Sequence, residues 1–505
     1  MKKYITLIAA AAALAFASSC TSKFLTVENT GAMQLEEYFT TEEHLAQALV
    51  AAYDPLEWFD FVNQYNPVNI MSDIMADQIW VGGQDRTDNQ FWHLMMNYEA
   101  IPTNCMSDLL SHCYSGVKRS NDVLTYIGWT EDLSDEVAQT TEAQARLLRD
   151  YYYCILWKFW GNIPYYEENL TGDFTAPQST ADEVYESFIT DLEGVIGMDV
   201  LPLKWDAANQ GRVSLAMAYM LFTEAVLYQN DESRFGTALE YMKEIIGSPD
   251  YDLLPDYGDI FKESGEWGAE SIFEIGYKDK GHQRGWSPNL RMVGGTVLPR
   301  LISPYEWKGT DGHDAGWGFA PVRVETYDMF DPADARRDAT CWDVRSESDL
   351  YTKRYQDTGI FLEKYAAYKA NNANATYDGD VNFNNNLRIY RYAETLLNAA
   401  ELAVRTGNTS GAEAWLNAVH GRALGGATVA LTLENIKEER RLEFVGEGKR
   451  YWDLVRWGDA ATVLVPDAYG YRTNSWTESK KYLPFPQDLI DSTAGKAYEL
   501  TQNNY

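Results

Sequence analysis

Apolar residues recur at helical spacing through much of the chain. Leu148, Tyr152, Ile155 and Phe159 are separated by 4, 3 and 4 positions, Leu215, Tyr219, Phe222 and Val226 by the same steps, and Val184, Phe188, Leu192 and Val195 by 4, 4 and 3. Each set falls on one stripe of an α-helix, so each predicts an amphipathic helix with one face to bury. Ile389, Ala393, Leu396 and Ala400 repeat the pattern. Gly407 then stands where a left-handed residue ends a helix, and a second helix is predicted from Gly411 to Ala423. Two helices within about 34 residues make the tetratricopeptide (TPR) unit, in which each pair needs neighbours to cover its other face. No clean consensus repeat is present. The predicted class is therefore all-α, a scaffold of TPR-like helix pairs with long loop insertions and a few short strands. Ser271–Ile275 alternates as a strand does and is expected to pair within its own insertion.

Irregular stretches rich in Gly, Pro, Trp and Asn lie between the helices, chiefly 54–105, 249–345 and 371–387. Loops on a rigid scaffold are where binding groups concentrate. The third stretch runs from Asn371 to Asn386 around an Asp378-Gly379-Asp380 turn. Its oxygen-bearing side chains suit calcium in kind, but the EF-hand spacing is missing and no metal site is expected.

The chain opens with Lys2 and Lys3, an apolar run from Ile5 to Ala17, and the small residues Ala17-Ser18-Ser19 before Cys20. This reads as a signal peptide over 1–19, with Cys20 as the lipidated residue; the alternative is an ordinary secretory peptide cut nearby. No later apolar run approaches the ~20 residues of a membrane span. The length of 505 residues would suggest about three domains, but a helical-repeat scaffold with insertions runs as one unit, so one domain is expected over 20–505. A formal charge of −33 argues against nucleic acid or anionic lipid headgroups as partners. Tyr, Trp and Phe together make up 14% of residues, which suits binding of flat, hydroxyl-rich molecules, although most of these rings must still fill the core. Cys105, Cys113, Cys154 and Cys341 show no C-x-x-C pattern. A Cys105–Cys113 disulfide is open to an exported protein, while buried free thiols are the expected state. No G-x-S-x-G or H-E-x-x-H occurs, and His93, His112, His282 and His313 read as surface or hydrogen-bonded loop residues. A helical glycoside hydrolase would need a carboxyl pair, and the abundance of acids does not point to one. Neither an enzyme nor a cofactor is expected.

The most informative segment is Glu438-Glu439-Arg440-Arg441-Leu442-Glu443-Phe444-Val445-Gly446-Glu447-Gly448-Lys449-Arg450-Tyr451-Trp452-Asp453-Leu454-Val455-Arg456-Trp457-Gly458. It reads as a helix, a glycine-marked turn and a second amphipathic helix. Its Gly446-Glu447-Gly448-Lys449 is not a phosphate loop, because Glu443 occupies the place of the first Walker glycine. This block resembles the signature of the SusD/RagB family. Similar matches run along the chain: Tyr38-Phe39-Thr40-Thr41-Glu42-Glu43, Trp160-Gly161-Asn162-Ile163-Pro164, Gly211-Arg212-Val213-Ser214, Arg391-Tyr392-Ala393-Glu394 and Leu483-Pro484-Phe485-Pro486. His420-Gly421 departs from the usual Val-Arg pair, and Thr21-Ser22 lacks the acidic residues often found beside the lipidated Cys. The resemblance implies four TPR-like pairs and a surface lipoprotein anchored at the outer membrane. It also implies capture of an oligosaccharide as the lid of a SusC-like TonB-dependent transporter. A peptide-binding or purely protein-binding lipoprotein is the alternative. Most signature charges, among them Arg391, Glu394, Glu439, Arg440, Arg441 and Asp453, are expected to tie helices together as ion pairs.

The regions that supply ligand contacts in that family are the loop after the first helix and the insertion following Phe273. A sugar offers a C–H face to an aromatic ring and hydroxyl edges to Asp, Asn and Arg. The candidates are Trp80, Asp85, Arg86, Asn89 and Trp92 in the first loop and Trp286, Tyr305, Trp307 and Trp317 in the second. Any one of these rings can equally plug its own loop. Trp317, inside Gly316-Trp317-Gly318-Phe319, leans towards that structural role; Trp80, Trp286 and Trp307 are the favoured contacts.

Overall fold

The computed structural model describes residues 34–281, 283–287, 292 and 294–505. The expected signal peptide, Cys20 and His282 lie outside the described residues. Helices pair along the chain as α1 (Glu42–Tyr53) with α2 (Asp108–Ile127), α3 (Asp135–Trp160) with α4 (Ala181–Gly197), α5 (Leu215–Gln229) with α6 (Phe235–Gly247), and α7 (Tyr392–Thr406) with α8 (Ala412–Ala423). Each pair also packs on the next through α2–α3, α4–α5 and α6–α7 contacts, which is how a TPR-like stack covers both faces of every unit. The stripes of α3 and α4 are buried as their spacing requires. Ser134, Thr180 and Ser214 start α3, α4 and α5 by accepting the backbone N–H three residues on. Gly407 ends α7 in the left-handed region, at φ +73°. The two long insertions leave this stack between α1 and α2 and between α6 and α7.

Three antiparallel strand pairs form among the described residues: β1 (Ile163–Pro164) with β2 (Gln178–Ser179), β3 (Ser271–Ile275) with β6 (Leu387–Arg391), and β4 (Cys341–Asp343) with β5 (Ile360–Leu362). The β3 pairing corrects the expected local partner. Its partner lies beyond the insertion, with Ser271 opposite Arg391 and Ile275 opposite Leu387. Charge explains the choice: Glu270, just before β3, pairs with Arg391 at 2.8 Å and with Arg422 of α8 at 2.6 Å. Two histidines are also corrected. His93 and His112 are buried on helices, and burial pushes each imidazole down to about 4, so both stay neutral. Cys105, Cys113, Cys154 and Cys341 are buried free thiols, with no Cys105–Cys113 bridge.

The signature segment forms α9 (Leu433–Glu443), a turn, and α10 (Arg450–Arg456). Its charges point inward. The fully buried Glu443 carboxylate meets Arg391 at 2.7 Å, Arg422 at 2.5 Å and Arg336 at 3.1 Å. Glu447 pairs with Arg391 and with Lys364, both at 2.7 Å, while Glu439 takes Arg336 at 2.5 Å and His420 at 2.8 Å. His420, one of the departures from the family pattern, thus adds a polar contact to the cluster. Burial alone would raise the Glu443 carboxyl, but Arg422, Arg391 and Arg336 hold it far below the usual range. A second set joins α7, α9 and α10 through Arg440–Asp453, Arg456–Asp453 and Arg456–Glu401 at 2.8, 2.8 and 2.6 Å, with Lys449–Glu394 at 2.9 Å. Arg441 sits further out, 3.7 Å from Asp77. Removing one member of a buried cluster leaves its partners charged and unpaired. Glu443→Gln is therefore expected to lower unfolding free energy in denaturant titration by about 3–5 kcal/mol; wild-type stability in this variant would show that the cluster is not holding the fold.

Candidate functional site

Four aromatic rings meet where the two long insertions touch. Phe61 and Tyr65 stack at 5.0 Å and 17° between planes. Trp286 lies 5.4 Å from Phe61 and 5.9 Å from Trp317, and Trp317 closes the group 5.7 Å from Tyr65. Phe61 is buried, Tyr65 and Trp317 are half-buried, and Trp286 is 40% exposed. The result is a solvent-facing aromatic platform on a buried base.

A buried clamp brings these residues together. Asp60 accepts from Arg284 at 2.5 Å through one oxygen, and from the Thr296 hydroxyl and Val297 N–H at 2.7 and 2.8 Å through the other. Arg284 also donates to the Glu57 carbonyl at 2.6 Å. Its backbone exchanges two 2.8 Å hydrogen bonds with the Asn382 side-chain amide. Asp60 precedes Phe61 and Arg284 precedes Trp286 by two positions, so one ion pair sets both rings. Asn386 likewise bridges Tyr277 and Glu274, so these members of the asparagine-rich stretch serve as structural ties. Asp108 of α2 fixes the turn before Tyr65 by accepting the N–H groups of Asn63 and Gln64, each at 2.8 Å. Trp317 owes its position to its glycines. A Cβ on Gly316 would lie 2.3 Å from the Ser303 carbonyl oxygen, and Gly318 adopts φ +71°.

The sequence-derived candidates divide by depth. Trp286 and Trp317 share the platform. Trp92 is fully buried beneath it, and its indole N–H donates to the Tyr65 carbonyl at 3.0 Å, so it positions a platform residue from below. Trp80 is 2% exposed, sandwiched between the Arg323 guanidinium, 3.6 Å from its ring, and Tyr469 and Tyr471. Tyr305 is half-buried under Arg354, whose guanidinium lies 3.6 Å from the ring and donates to the Trp317 carbonyl at 3.2 Å. Asp85 is exposed and accepts from Thr87; Arg86 pairs loosely with Glu99 at 3.5 Å. Asn89 starts the helix Gln90–Met96 with φ 48°. Phe61 and Tyr65 were not among the candidates. The alternation Phe59-Asp60-Phe61 was the available signal, but only the Arg284 contact makes it meaningful.

Trp307 belongs to a separate small core. Its ring meets Trp342 at 4.9 Å, and its N–H donates to Asp311 at 3.2 Å. Beside it, His313 is stacked between Trp342 at 3.8 Å and Tyr368 at 4.3 Å, with Asp311 and Glu363 on its two nitrogens at 2.8 and 3.2 Å.

A wide concavity, about 1070 Å³, shares the 54–60 turn with the platform but opens between α1, the start of α3 and β3. On its wall the Trp205 indole donates to the Val213 carbonyl, and the backbone N–H of Trp267 donates to the Glu274 carboxylate. Glu57 and Glu266 on its wall are each pushed up to about 7 by burial. Among the described residues, no group of three or more His, Cys, Asp or Glu side chains could hold a metal ion.

The family model described as the SusD family matches residues 336–505, and one described as starch-binding associating with outer membrane matches residues 23–224. Surface glycan-binding protein A from Bacteroides thetaiotaomicron, solved in complex with laminarihexaose, is 58% identical. That match covers 92% of this chain and 100% of that one, with a TM-score of 0.88. Surface glycan-binding protein A from Bacteroides uniformis is 51% identical over 92% of this chain and 100% of that one, with a TM-score of 0.84. A laminarin binding SusD-like protein is 28% identical over 92% of this chain and 99% of that one, with a TM-score of 0.82.

The His313 site carries a pH prediction. Burial alone would push the imidazole down, but Glu363 and Asp311 outweigh it and raise its pKa above the ordinary value. A raised folded-state value stabilises fully below the unfolded pKa of about 6.5 and loses that contribution as pH climbs through the folded value. Thermal unfolding of the wild type is expected to soften on going from about pH 6 to about pH 8.5, and His313→Gln to flatten that slope. Identical pH profiles for the two proteins would remove His313 from the account.

Proposed function

The chain belongs to the SusD family, and we propose that it captures β-1,3-linked glucose chains of the laminarin type by non-covalent binding. The observation that carries this reading is the platform of exposed Trp286 flanked by half-buried Tyr65 and Trp317, rings held in place on clamped loops. The C–H face of a pyranose packs on indole or phenol, and its hydroxyl edge needs donors and acceptors such as Arg354 and Asp88, 3.7 Å apart beside Trp317. Because the clamp orders both loops in advance, little conformational entropy is left to lose on binding. The laminarihexaose complex of the Bacteroides thetaiotaomicron protein supports glucose chains of this linkage as the ligand.

The wider role is a lipid-anchored protein at the outer membrane that acts as the lid of a SusC-like TonB-dependent transporter. No catalytic step belongs to it. Family membership supports both the lid and the anchor at Cys20, and an engineered disulfide locking lid to transporter is expected to abolish uptake. Continued uptake in the locked state would end the lid reading.

Binding is tested by titrating the mature protein calorimetrically with laminarihexaose and a panel of other glycans, with reducing sugar assayed in the same samples. Saturable binding without product release is expected. Trp286→Ala or Trp317→Ala should weaken it about tenfold or more, equivalent to at least ~1.4 kcal/mol. Trp80→Ala should instead cost stability, about 3–5 kcal/mol for a buried indole. Product release would make the protein an enzyme. Silence across the panel would point to a peptide ligand.

A further inference from the structure

Three tyrosine rings, one exposed and two half-buried, form a second aromatic group next to the platform. Tyr469 is 54% exposed, and its ring is near-parallel to that of Tyr471, at 5.9 Å and 15°. Tyr471 in turn meets Tyr355 at 5.4 Å. A centroid separation of 5.9 Å exceeds the ~3.5–4 Å of face-to-face contact, so the two rings do not cover each other fully. Buried Trp80 is their pedestal, edge-on to Tyr469 at 5.9 Å and to Tyr471 at 5.1 Å.

The loop that presents them is built to hold one shape. The Asp467 carboxylate accepts the N–H groups of Tyr469 and Tyr471 at 2.7 and 3.2 Å, and that of Arg472. The Arg472 side chain is 1% exposed and donates to the carbonyls of Met96, Met75 and Ala76 at 2.9, 3.1 and 2.6 Å. A polar group edges the patch: the Tyr469 hydroxyl donates to Glu325 at 2.9 Å.

Backbone hydrogen bonds connect this patch to the platform. Gly83 donates to the Gly318 carbonyl at 3.0 Å, and Tyr355 donates to the Gly83 carbonyl at 3.1 Å. Two such side-by-side spacings put the Tyr355 backbone roughly 10 Å from that of Trp317–Gly318. A chain leaving Trp317 need extend by only a few sugar units to reach Tyr355.

We infer that Tyr355, Tyr469 and Tyr471, edged by Glu325, form a second sugar-stacking subsite that takes a distal segment of the same polysaccharide held at the platform. This rests on the glycan-binding reading above. Its consequence is selection for long chains. A short oligosaccharide fills the platform alone, whereas a polymer engages both subsites and gains from the second contact being intramolecular.

The test compares laminarihexaose with soluble laminarin polymer for the mature wild type, Tyr469→Ala, Tyr469→Phe and Trp286→Ala. Tyr469 is exposed, so its loss should leave the melting temperature unchanged. Tyr469→Ala is expected to hold hexaose affinity within about twofold while weakening polymer binding about fivefold, and Tyr469→Phe to restore it, because stacking needs only the ring. Polymer should also protect Tyr469 from nitration by tetranitromethane, read by mass spectrometry, and hexaose should not. Unchanged polymer affinity in Tyr469→Ala, or equal nitration with and without polymer, overturns the subsite while the platform reading stands. Failure of the wild type to bind either ligand overturns both.

Discussion

The buried charge cluster around Glu443 is the constraint on which the rest of the molecule depends. Glu443 and Glu447 come from the signature segment, Arg391 from the β6–α7 junction, Arg422 from α8, and Glu270, Arg336 and Lys364 from the second insertion and its continuation. The same insertion also packs apolar side chains such as Leu301, Ile302 and Val322 into the main core, but that packing leaves its position less sharply defined. Charges removed from water must find opposite charges, and these find them only if β3 lies against β6 and the insertion folds back onto α8 and α9. Specific placement is the gain, since apolar packing tolerates small shifts that a guanidinium shared between carboxylates does not.

A smaller version of the same device makes the binding surface. Asp60 and Arg284 lie far apart in sequence and almost fully out of solvent. Their pairing decides where the first insertion meets the second, and so where Phe61 and Trp286 meet. The His313 stack near Trp307 is a third case, in which two carboxylates hold an imidazole between aromatic faces. In all three the ion pair fixes loops, and the loops carry the rings.

Aromatic residues therefore work at two depths. Trp92 supports Tyr65 through a hydrogen bond to its carbonyl, and Trp80 supports Tyr469 and Tyr471 through its faces and edges. The exposed rings above them are smaller or only partly uncovered. A surface that must stay flat and dry enough to stack a sugar needs such an underlayer, because an unsupported tyrosine loop would lose conformational entropy on binding that a propped one has already lost on folding.

By itself the sequence determined the helical stack, since apolar spacing, Ser and Thr caps and Gly407 act within a few residues of one another. The signature segment and the Arg391 helix were legible as scaffold because charges in such apolar company must be paired. Depth was not legible. An indole looks the same in a string of letters whether it is a pedestal or a platform, so Trp80 and Trp307 read as well as Trp286 did, while Tyr65 and Phe61 did not stand out. The partner of β3 was likewise out of reach, because Glu270 gives no sign of which distant arginine it will meet. Tertiary structure decided these points: burial and long-range ion pairing depend on which segments approach across more than a hundred residues, and no local pattern encodes that approach.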